Sequence, residues 1–419
     1  MTDTANAPTD GEAQFDHHSL AHAADPACSY RALRQSGGVV HSDKYGGYYV
    51  LSRYDDIVKA ARDHGTFSST RDVDGPGSGG GGLSIPPNPA THLSLDELDP
   101  PAWKRIRSAM NPLLSPTAVE RMKPRIAELT TYFIDRFIEA GRADLVLQLA
   151  NPIPAIVTLD FLGLPRDEWE RFADPIHKMV YIQRDQPTFE PVFNDIKWIL
   201  GRLQQQIDLR RREPTADMVT YLLQHPADGD PFRDDELLEL MFITLAGGVD
   251  TTTALMSNTF YYLSEHPEDR RRLQADPSLI DSACEEFLRV FTPVQALART
   301  VTRDVSLGEV EMHPGDRVLL AWASANRDDS QFEAADEVQI DRFPNRHCAF
   351  GIGIHRCLGS NLARTQYKHV VTEVLRRLPD FEVVPGAAHR YERLGTVNGW
   401  EQMPVTFTPG EREGRNLTL

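Results

Sequence analysis

The chain has 419 residues, with 44 lysines and arginines against 61 aspartates and glutamates, and a formal net charge of −17 at pH 7. This acidic balance argues against nucleic acid as the main partner, because phosphate backbones attract basic surfaces. No apolar run approaches the roughly 20 residues of a membrane span. The first 26 residues also lack the basic and apolar segments of a signal peptide. We therefore expect a cytoplasmic protein without a membrane partner.

Nothing in the residue distribution divides the chain into two folding units. The nearest candidate linker, residues 75–82, is rich in glycine but too short and too near the N-terminus to separate two cores. We expect a flexible N-terminal tail over residues 1–25, one domain over residues 26–410 and a C-terminal tail over residues 411–419.

The first hundred residues alternate between short regular elements and a long irregular stretch. Residues 30–34 and 54–62 predict helices, and residues 39–41 and 48–52 predict a hairpin. The stretch from residue 67 to 99 is rich in Gly, Pro, Ser and Asp. A loop of that length in a compact domain is usually either disordered or functional.

The middle of the chain predicts successive helices. Two prolines start a helix that carries Trp103 and Arg107 one turn apart on one face. Residues 117–225 then predict a series of amphipathic helices, punctuated by Gly, Asn and Pro. Residues 176–203 mix aromatic and polar side chains within that series.

The longest helical pattern runs from Asp234 to about His266. Its first turn is acidic, which suits the helix dipole, and its length of about 45 Å is enough to cross a domain. Gly247-Gly248 and the threonines that follow are poor helix formers at its centre. Such a weak point predicts a bulge that makes room for a ligand, whereas close helix packing through the two glycines is the alternative.

Two further elements precede the C-terminal third. Glu286 and Arg289 lie three residues apart and so share one helix face, although any surface helix can supply such a pair. Residues 297–302 alternate between apolar and polar side chains, as in a strand, and include Arg299.

The most informative stretch is the glycine-punctuated loop of residues 349–359, which leads into a helix. Its glycines allow positive φ or close backbone approach, and Cys357 lies where helix N–H groups favour a thiolate. The four cysteines do not make a disulfide framework in a chain of this length. A metal shared by Cys348 and Cys357 is an alternative that lacks a close CxxC pair.

This loop resembles the haem-binding signature of the cytochrome P450 family, in the pattern Phe350-x-x-Gly353-x-His355-x-Cys357-x-Gly359. The resemblance extends from about residue 26 to 409 and includes a WxxxR helix, an AGGVDT groove and an ExxR pair. Many soluble bacterial members carry His where this chain has Trp103. The resemblance implies a mainly α fold with minor β, in which haem lies between the long central helix and the cysteine-loop helix and small β-sheets lie at the periphery.

The resemblance also implies the cofactor site. Haem b would take the Cys357 thiolate as its axial ligand, and Glu286 with Arg289 would lock the chain before the loop. Asp250 would relay protons, and Thr251 would hydrogen-bond bound dioxygen. The remaining haem contacts would be Trp103, Arg107, Arg299, His355, Phe350, Gly351, Gly359, Ala246 and Gly247. Core packing is the alternative for Trp103.

The same resemblance suggests which residues contact the substrate, in a cavity covered by the irregular loop and by helices of the 176–203 segment. The candidates are Leu83, Ile85, Leu93, Ile243, Val249, Gln295, Thr396 and Val397. They are mostly apolar and medium-sized, so they do not distinguish terpenoids, aromatics, steroids, fatty acids and natural-product scaffolds. A solvated loop is the alternative for the first three.

The implied activity is a monooxygenase that inserts one oxygen atom from O₂ into a hydrophobic organic substrate, by hydroxylation or epoxidation. With no flavin or iron–sulfur module in the chain, electrons would come from a ferredoxin or flavodoxin with its reductase, and we expect the enzyme to be a monomer. The docking surface would be a local basic patch of Lys104, Arg105, Arg346, Arg356, Arg364 and Lys368. A haem-thiolate peroxygenase or isomerase and a non-catalytic haem-binding protein are the alternatives.

Overall fold

The structure is a computed structural model that describes residues 15–75, 77–87, 92–182, 186–394 and 396–414. Helices make up most of these ranges. The α-helices are α1 (Leu20–Ala24), α2 (Pro26–Gln35), α3 (Tyr54–Arg62), α4 (Ala102–Met110), α5 (Pro116–Glu120), α6 (Lys123–Asp135), α7 (Pro152–Leu162), α8 (Trp169–Tyr181), α9 (Phe189–Arg212), α10 (Met218–Gln224), α11 (Asp234–Glu265), α12 (Pro267–Ala275), α13 (Ile280–Phe291), α14 (Trp322–Ala325) and α15 (Ser360–Arg377).

The strands are short and lie in small separate sheets. They are β1 (Val39–Ser42), β2 (Tyr48–Leu51), β3 (Phe67–Ser68), β4 (Arg142–Asp144), β5 (Leu297–Val301), β6 (Val305–Leu307), β7 (Val310–Met312), β8 (Arg317–Leu320), β9 (Glu382–Val383), β10 (His389–Arg390), β11 (Trp400–Gln402) and β12 (Pro404–Thr406). The largest sheet has the order β1-β2-β8-β5-β3, and only its β2–β8 pair is parallel. The predicted mainly α fold with small peripheral sheets is confirmed.

Helix α11 is the central helix, as predicted. It packs against α7, α8, α9 and α15, and most of its C-terminal half is buried. It starts with three acidic residues and a backbone N–H of Arg233 that donates to Glu236, and it ends before Pro267. By length and composition it is the helix among the described residues that could cross a membrane, but 67% of that apolar window is buried inside the fold. Its apolar character is therefore that of a core helix.

The predicted bulge at the centre of α11 is wrong, because the helix runs through Gly247 and Gly248 without interruption. The two glycines have different surroundings. A Cβ at Gly248 would lie 2.7 Å from the Thr158 hydroxyl of α7, so this glycine permits close helix packing. A Cβ at Gly247 would meet nothing within 4 Å, because this glycine faces open space. The room expected for a ligand is therefore found at Gly247 without a bulge, and the alternative of close helix packing is found at Gly248.

Helix α7 departs from the predicted amphipathic series. Nine of its eleven residues are buried, so it has no polar face. It lies between α6, α8 and α11, and a helix enclosed by other helices is apolar all round. Helix α7 thereby forms a second layer behind the central helix.

The ends of the described chain pack onto the domain. Of the predicted N-terminal tail, residues 15–25 contribute helix α1 and His17, whose ring nitrogens lie 3.0 Å from the Tyr48 hydroxyl and 3.1 Å from the Ile85 carbonyl oxygen. At the other end, the Gly414 N–H donates to Asp135 over 2.7 Å. Residues 1–14 and 415–419 lie outside the described residues.

Glu286 and Arg289 form a fully buried ion pair on α13, and it fixes the chain that leads to the cysteine loop. Arg289 donates from Nε and Nη2 to the two Glu286 oxygens over 2.8 and 2.7 Å. Its guanidinium also donates to the carbonyls of Asn326, Ala335 and Glu337. Sequence reasoning missed Arg342, whose Nε lies 3.1 Å from both Glu286 oxygens. One carboxylate therefore binds two arginines and organises residues 326–345.

Candidate active site

One large cavity lies between the central helix α11 and the loop that precedes α15. The loop contributes residues around Cys357, helix α11 contributes its central turns, and the segment before β5 closes a third side. Most of the lining is aliphatic or aromatic. The cavity is therefore an apolar chamber with a thiol at one wall and the Gly247 region at another.

Cys357 is held in this wall by its backbone. Its N–H donates to the Phe350 carbonyl over 2.8 Å, and the loop turns at Gly351 and Gly353, which have φ of +68° and +77°. A Cβ at Gly353 would lie 2.2 Å from the Ala61 carbonyl oxygen, so only glycine fits there. Phe350, Gly351 and Gly359 line the cavity beside Cys357, as the sequence predicted.

The pKa of Cys357 is not lowered in the way that its position at the start of a helix would suggest. Although the Cys357 side chain is exposed to the cavity, desolvation inside the fold raises its pKa, and nearby Asp96 raises it further. The Gly359 N–H and the charges of Arg107 and Arg356 lower that pKa, but they do not outweigh burial. The protein by itself therefore favours the neutral thiol, and a cation at the sulfur is needed to hold a thiolate.

Four of the predicted haem contacts, Trp103, Arg107, Arg299 and His355, lie near one another at the edge of the cavity. The Trp103 and His355 rings are 6.0 Å apart and nearly perpendicular. Arg299 and His355 line the cavity, whereas Trp103 and Arg107 lie outside the lining, on α4. Within the described part of the chain, the buried Trp103 Nε1 and His355 Nδ1 have no hydrogen-bond partner.

The charges around these orphaned atoms indicate an anionic ligand. Arg299 is buried, and its guanidinium donates to the Ala298 carbonyl over 2.7 Å. Arg107 donates from Nε to Asn111 over 3.0 Å. Burial lowers the pKa of both guanidinium groups, and that of Arg299 to about 10, so both remain cationic at neutral pH. Two cations and two unused polar atoms beside a thiol suit a ligand that carries carboxylates.

Asp96 lines the same cavity, and sequence reasoning did not select it. Burial raises the pKa of Asp96 to about 6, although Arg107 and Arg299 act to lower it. Little in the sequence marks Asp96 as a site residue, because it is one acidic residue in an irregular loop. The neighbouring Glu97 illustrates the structural use of such residues, because its carboxylate accepts from the N–H groups of Leu83 and Leu93.

The predicted acid–alcohol pair of α11 is divided between two environments. Thr251 lines the cavity and donates from its hydroxyl to the Gly247 carbonyl over 2.9 Å. Asp250 is fully buried and lies outside the lining, where His177 and Tyr391 contact it. Those two residues are 73 and 141 positions away in the chain, so no local sequence signal could have found them.

The predicted substrate contacts lie only partly on the cavity wall. Leu83 and Ile243 line the cavity. Ile85 instead packs in a separate core cluster with Tyr30 and Tyr48, because its carbonyl is bonded to the N-terminal histidines. Leu93 packs beside the α8–α9 core rather than on the cavity.

Four further candidates, and Ala246 of the predicted haem groove, also lie off the cavity wall. Val249 and Ala246 face the core between α11 and α9. The Gln295 side-chain amide donates to the Thr292 carbonyl over 2.5 Å, and the Gln295 backbone N–H donates to the Thr396 carbonyl. The Thr396 side chain is exposed, and Val397 packs on Ala254 and Tyr391. These corrections have one cause, since a residue's face depends on tertiary pairing that local pattern does not specify.

The cavity is instead lined by residues that sequence reasoning passed over. They come mainly from α4, α7, α11 and the segment before β5, and include Leu95, Met110, Thr158, Phe161, Leu240, Thr244, Val294 and Leu297. Helices α4 and α11 gave clear sequence signals, but which of their faces meets the cavity depends on how α7 packs behind them.

The predicted basic patch is partly neutralised. Arg105 pairs with Glu236 over 2.7 Å, Arg364 with Glu285 over 2.6 Å and Lys368 with Asp281 over 2.5 Å. Lys104, Arg346 and Arg356 are exposed. The exposed positive charge near the cysteine loop is therefore smaller than the sequence suggests.

Comparison with known proteins identifies the family. The Cytochrome P450 family model matches residues 175–390. Cytochrome P450 130 of Mycobacterium tuberculosis is 34% identical over 373 residues, which cover 86% of this chain and 89% of that protein. The chain belongs to the cytochrome P450 family. This P450 is also 32% identical over 385 residues to the steroid C26-monooxygenase of Mycobacterium tuberculosis, covering 91% of this chain and 93% of that protein.

The solved structures agree with this identification. CYP109E1 from Bacillus megaterium in complex with testosterone superposes with a TM-score of 0.83 at 29% identity, covering 93% of this chain and all of that one. This P450 is accordingly a haem-thiolate monooxygenase, and its cofactor is haem with a cysteine thiolate as axial ligand. Of the four cysteines, all within the described residues, Cys357 is the one on the cavity wall.

Proposed function

We propose that this P450 inserts one oxygen atom from O₂ into a small-to-medium hydrophobic substrate, by hydroxylation or epoxidation. The observation that carries the proposal is a cavity with an apolar lining, a single thiol at one wall and Thr251 on the facing helix. An apolar chamber with a few polar groups suits an organic substrate that must be held away from water.

Cys357 is the proposed axial ligand. Arg107, Arg299, Trp103 Nε1 and His355 Nδ1 are the proposed partners of the haem carboxylates, since two of these atoms lack other partners and the arginines supply the charge. When bound, the haem supplies the activation of dioxygen and the transfer of one oxygen atom. Haem iron at the sulfur would supply the positive charge that favours the thiolate against the desolvation that raises the pKa of the thiol.

The chain's own groups supply orientation and protons. The aliphatic side chains of α4, α11 and β5 hold the substrate and exclude water. The Thr251 hydroxyl, which donates to the Gly247 carbonyl, is the polar group of α11 that is proposed to hydrogen-bond dioxygen in the cavity. Asp250, next in the chain, is the proposed relay of its proton, because a carboxyl group can take up a proton and pass it on.

Electrons come, in this proposal, from a ferredoxin or flavodoxin with its reductase, and the enzyme is a cytoplasmic monomer. Arg346 and Arg356, at the two ends of the cysteine loop, and Lys104 are the proposed contacts, because they are exposed. Neutralising these three should lower the rate of reduction and weaken its salt dependence. Neutralising Lys368, which already pairs with Asp281, is the matched control. Unchanged reduction in the triple variant would contradict this docking surface.

The function is tested in two steps. The haem-loaded, reduced protein with carbon monoxide should show the red-shifted Soret band of a thiolate ligand. That band should be lost in Cys357→Ser and kept in Cys28→Ser, which changes an exposed cysteine. A compound panel is then titrated while the spin state of the iron is observed. Binding compounds are incubated with NADPH, surrogate redox partners and isotope-labelled O₂, and one labelled atom is expected in the product.

The same assays distinguish the rival functions. A peroxygenase or isomerase would form product with peroxide, or without any oxidant, as readily as with delivered electrons. A non-catalytic haem protein would show the thiolate band but no product with any compound. Thr251 on the cavity wall favours the monooxygenase, because a proton-supplying alcohol is needed only when dioxygen is activated by electrons and protons.

A further inference from the structure

The carboxylate of Asp250 is held by two side chains from outside its own helix. His177 of α8 places Nδ1 2.6 Å from Asp250 Oδ1, and the Tyr391 hydroxyl donates to the same oxygen over 2.9 Å. The Tyr391 hydroxyl also lies 3.1 Å from His177 Nδ1. The side chains of His177 and Asp250 are 6% and 1% exposed. The three groups therefore form a closed buried cluster at the junction of α8, α11 and the segment before β11.

Hydrogen-bond chemistry assigns the protons in this cluster. When Asp250 is a carboxylate it only accepts, so in that state both neighbours of Oδ1 donate to it. The histidine proton therefore lies on Nδ1. Burial raises the pKa of Tyr391 well above its ordinary value, and the tyrosine stays a donor. Among the described residues, His177 Nε2 and Asp250 Oδ2 have no partner. Oδ2 is thus the one Asp250 oxygen that is free to take up a proton.

We propose that His177 and Tyr391 are positioning residues for Asp250, which saturate Oδ1 with two hydrogen bonds and so make Oδ2 the oxygen that carries the transferable proton toward Thr251. This inference rests on the proposed function, because it assigns a device that controls proton supply in that reaction. It goes beyond the acid–alcohol pair of α11, since the two residues lie on other elements and touch neither the cavity nor Thr251.

Removing either donor has a defined consequence. An Asp250 carboxylate with one or no donor on Oδ1 can rotate, and either oxygen can then take the proton. Protons would reach Thr251 less reliably, and electrons would leave as hydrogen peroxide instead of product. The loss should be several-fold, smaller than the roughly 10²-fold typical of removing a general acid itself.

The experiment measures product and peroxide per NADPH in haem-loaded variants with a compound that the wild type oxidises. Tyr391→Phe and His177→Ala should each lower the product fraction several-fold. His177→Asn should restore most of it, because the asparagine amide can place a donor where Nδ1 stood. Tyr181→Phe is the control: its ring stacks on Tyr391 at 4.8 Å, but the change removes none of the three hydrogen bonds.

Rescue separates positioning from a merely structural role. His177→Asn returns a donor to Asp250 Oδ1 without the imidazole ring, so recovery of the product fraction shows that the hydrogen bond is what matters and not the bulk of the ring. Tyr181→Phe should keep the wild-type product fraction.

Failure of this inference is distinguishable from failure of the proposed function. If the wild type oxidises no compound, the proposed function fails. Histidine-labelled NMR of the reduced carbon monoxide complex still reports whether His177 carries its proton on Nδ1. A proton on Nε2 overturns the positioning proposal. So does an unchanged product fraction in Tyr391→Phe, or a His177→Asn variant as impaired as His177→Ala. All variants must keep the thiolate-type Soret band and haem content of the wild type to enter the comparison.

Discussion

Replacing Glu286 by glutamine should destabilise the whole fold while leaving its shape almost unchanged. The carboxylate accepts six hydrogen bonds from five donor atoms of arginine, asparagine and the backbone, and it balances the charges of Arg289 and Arg342. The Glu286 and Arg289 side chains are fully buried, and that of Arg342 is 8% exposed. In Glu286→Gln the two guanidinium groups remain without a counter-charge. Removing one partner of a buried pair costs about 3–5 kcal/mol, a large share of a typical stability of about 5–15 kcal/mol.

The same prediction also fixes the direction in which the stability difference between wild type and Glu286→Gln changes with pH. Burial acts to raise the pKa of Glu286, but Arg289, the Gln339 N–H and Arg342 outweigh it and hold that pKa below its usual 4.5. A carboxyl whose pKa is lowered by folding stabilises the native state above its unfolded pKa, and this contribution is lost as the pH falls through the folded value. The stability difference between wild type and Glu286→Gln should therefore be constant near neutral pH and shrink below pH 4.5.

The assay is urea unfolding of the haem-loaded protein, followed by far-UV circular dichroism and by the Soret band. Asp281→Asn is the matched control, because it removes a carboxylate from the same helix α13, where its pair with Lys368 is 79% exposed on the aspartate side. Such an exposed pair contributes about 0–1 kcal/mol. If Glu286→Gln unfolds within about 1 kcal/mol of the wild type at pH 7, the reasoning about an unbalanced buried charge is refuted.

Four further predictions address the site. Trp103→Phe keeps the ring but removes the orphaned N–H, so haem should transfer to an apo-globin roughly tenfold faster, as expected for loss of one bond to a charged group. Gly353→Ala forces a Cβ to within 2.2 Å of a backbone oxygen and should lower the melting temperature more than Gly351→Ala, whose nearest contact is 3.8 Å away. Wild-type affinity for neutral apolar ligands, measured by spectral titration, should weaken as pH rises through about 6, where Asp96 ionises, and Asp96→Asn should remove this dependence. Thr251→Ala should divert electrons to peroxide, and unchanged coupling would exclude Thr251 from the proposed mechanism.

The sequence predicted best what is decided within one element. The bounds of α3 match the prediction, and α11 begins at its predicted residue, because caps, acidic first turns and following prolines are local signals. The cysteine loop is likewise local, since its two positive-φ glycines lie within seven residues of Cys357. Helical spacing alone was enough to pair Glu286 with Arg289. The burial of this pair and its contact with the second arginine, Arg342, depend on how residues 326–345 fold over it.

Several predicted substrate contacts lie off the cavity wall, because a local pattern leaves open which face of an element meets the cavity. Ile85 and Val397 are apolar and lie in the expected segments, but each packs in a small core cluster behind the cavity wall. Their positions depend on pairings between distant segments, such as the bridge between Val294 and Val397. Asp250 was found by its motif, yet its partners came from α8 and from the segment before β11. A local pattern specifies that a residue is buried, whereas the pairing of distant segments decides which side chains it packs against.

The carboxylate-binding edge and the thiol together indicate that haem binding is part of this protein's stability. Among the described residues, the buried Trp103 Nε1 and His355 Nδ1 have no partner, and each such group costs about 1–3 kcal/mol unless the cofactor binds it. Burial also holds Cys357 in its neutral form, and Arg107 and Arg299 lie partly or fully desolvated beside the cavity. A ligand that binds only the folded state stabilises it by an amount that rises with the logarithm of its free concentration relative to its dissociation constant. The residues that prepare the site for haem therefore destabilise the haem-free fold, and chain and cofactor are expected to unfold in one transition.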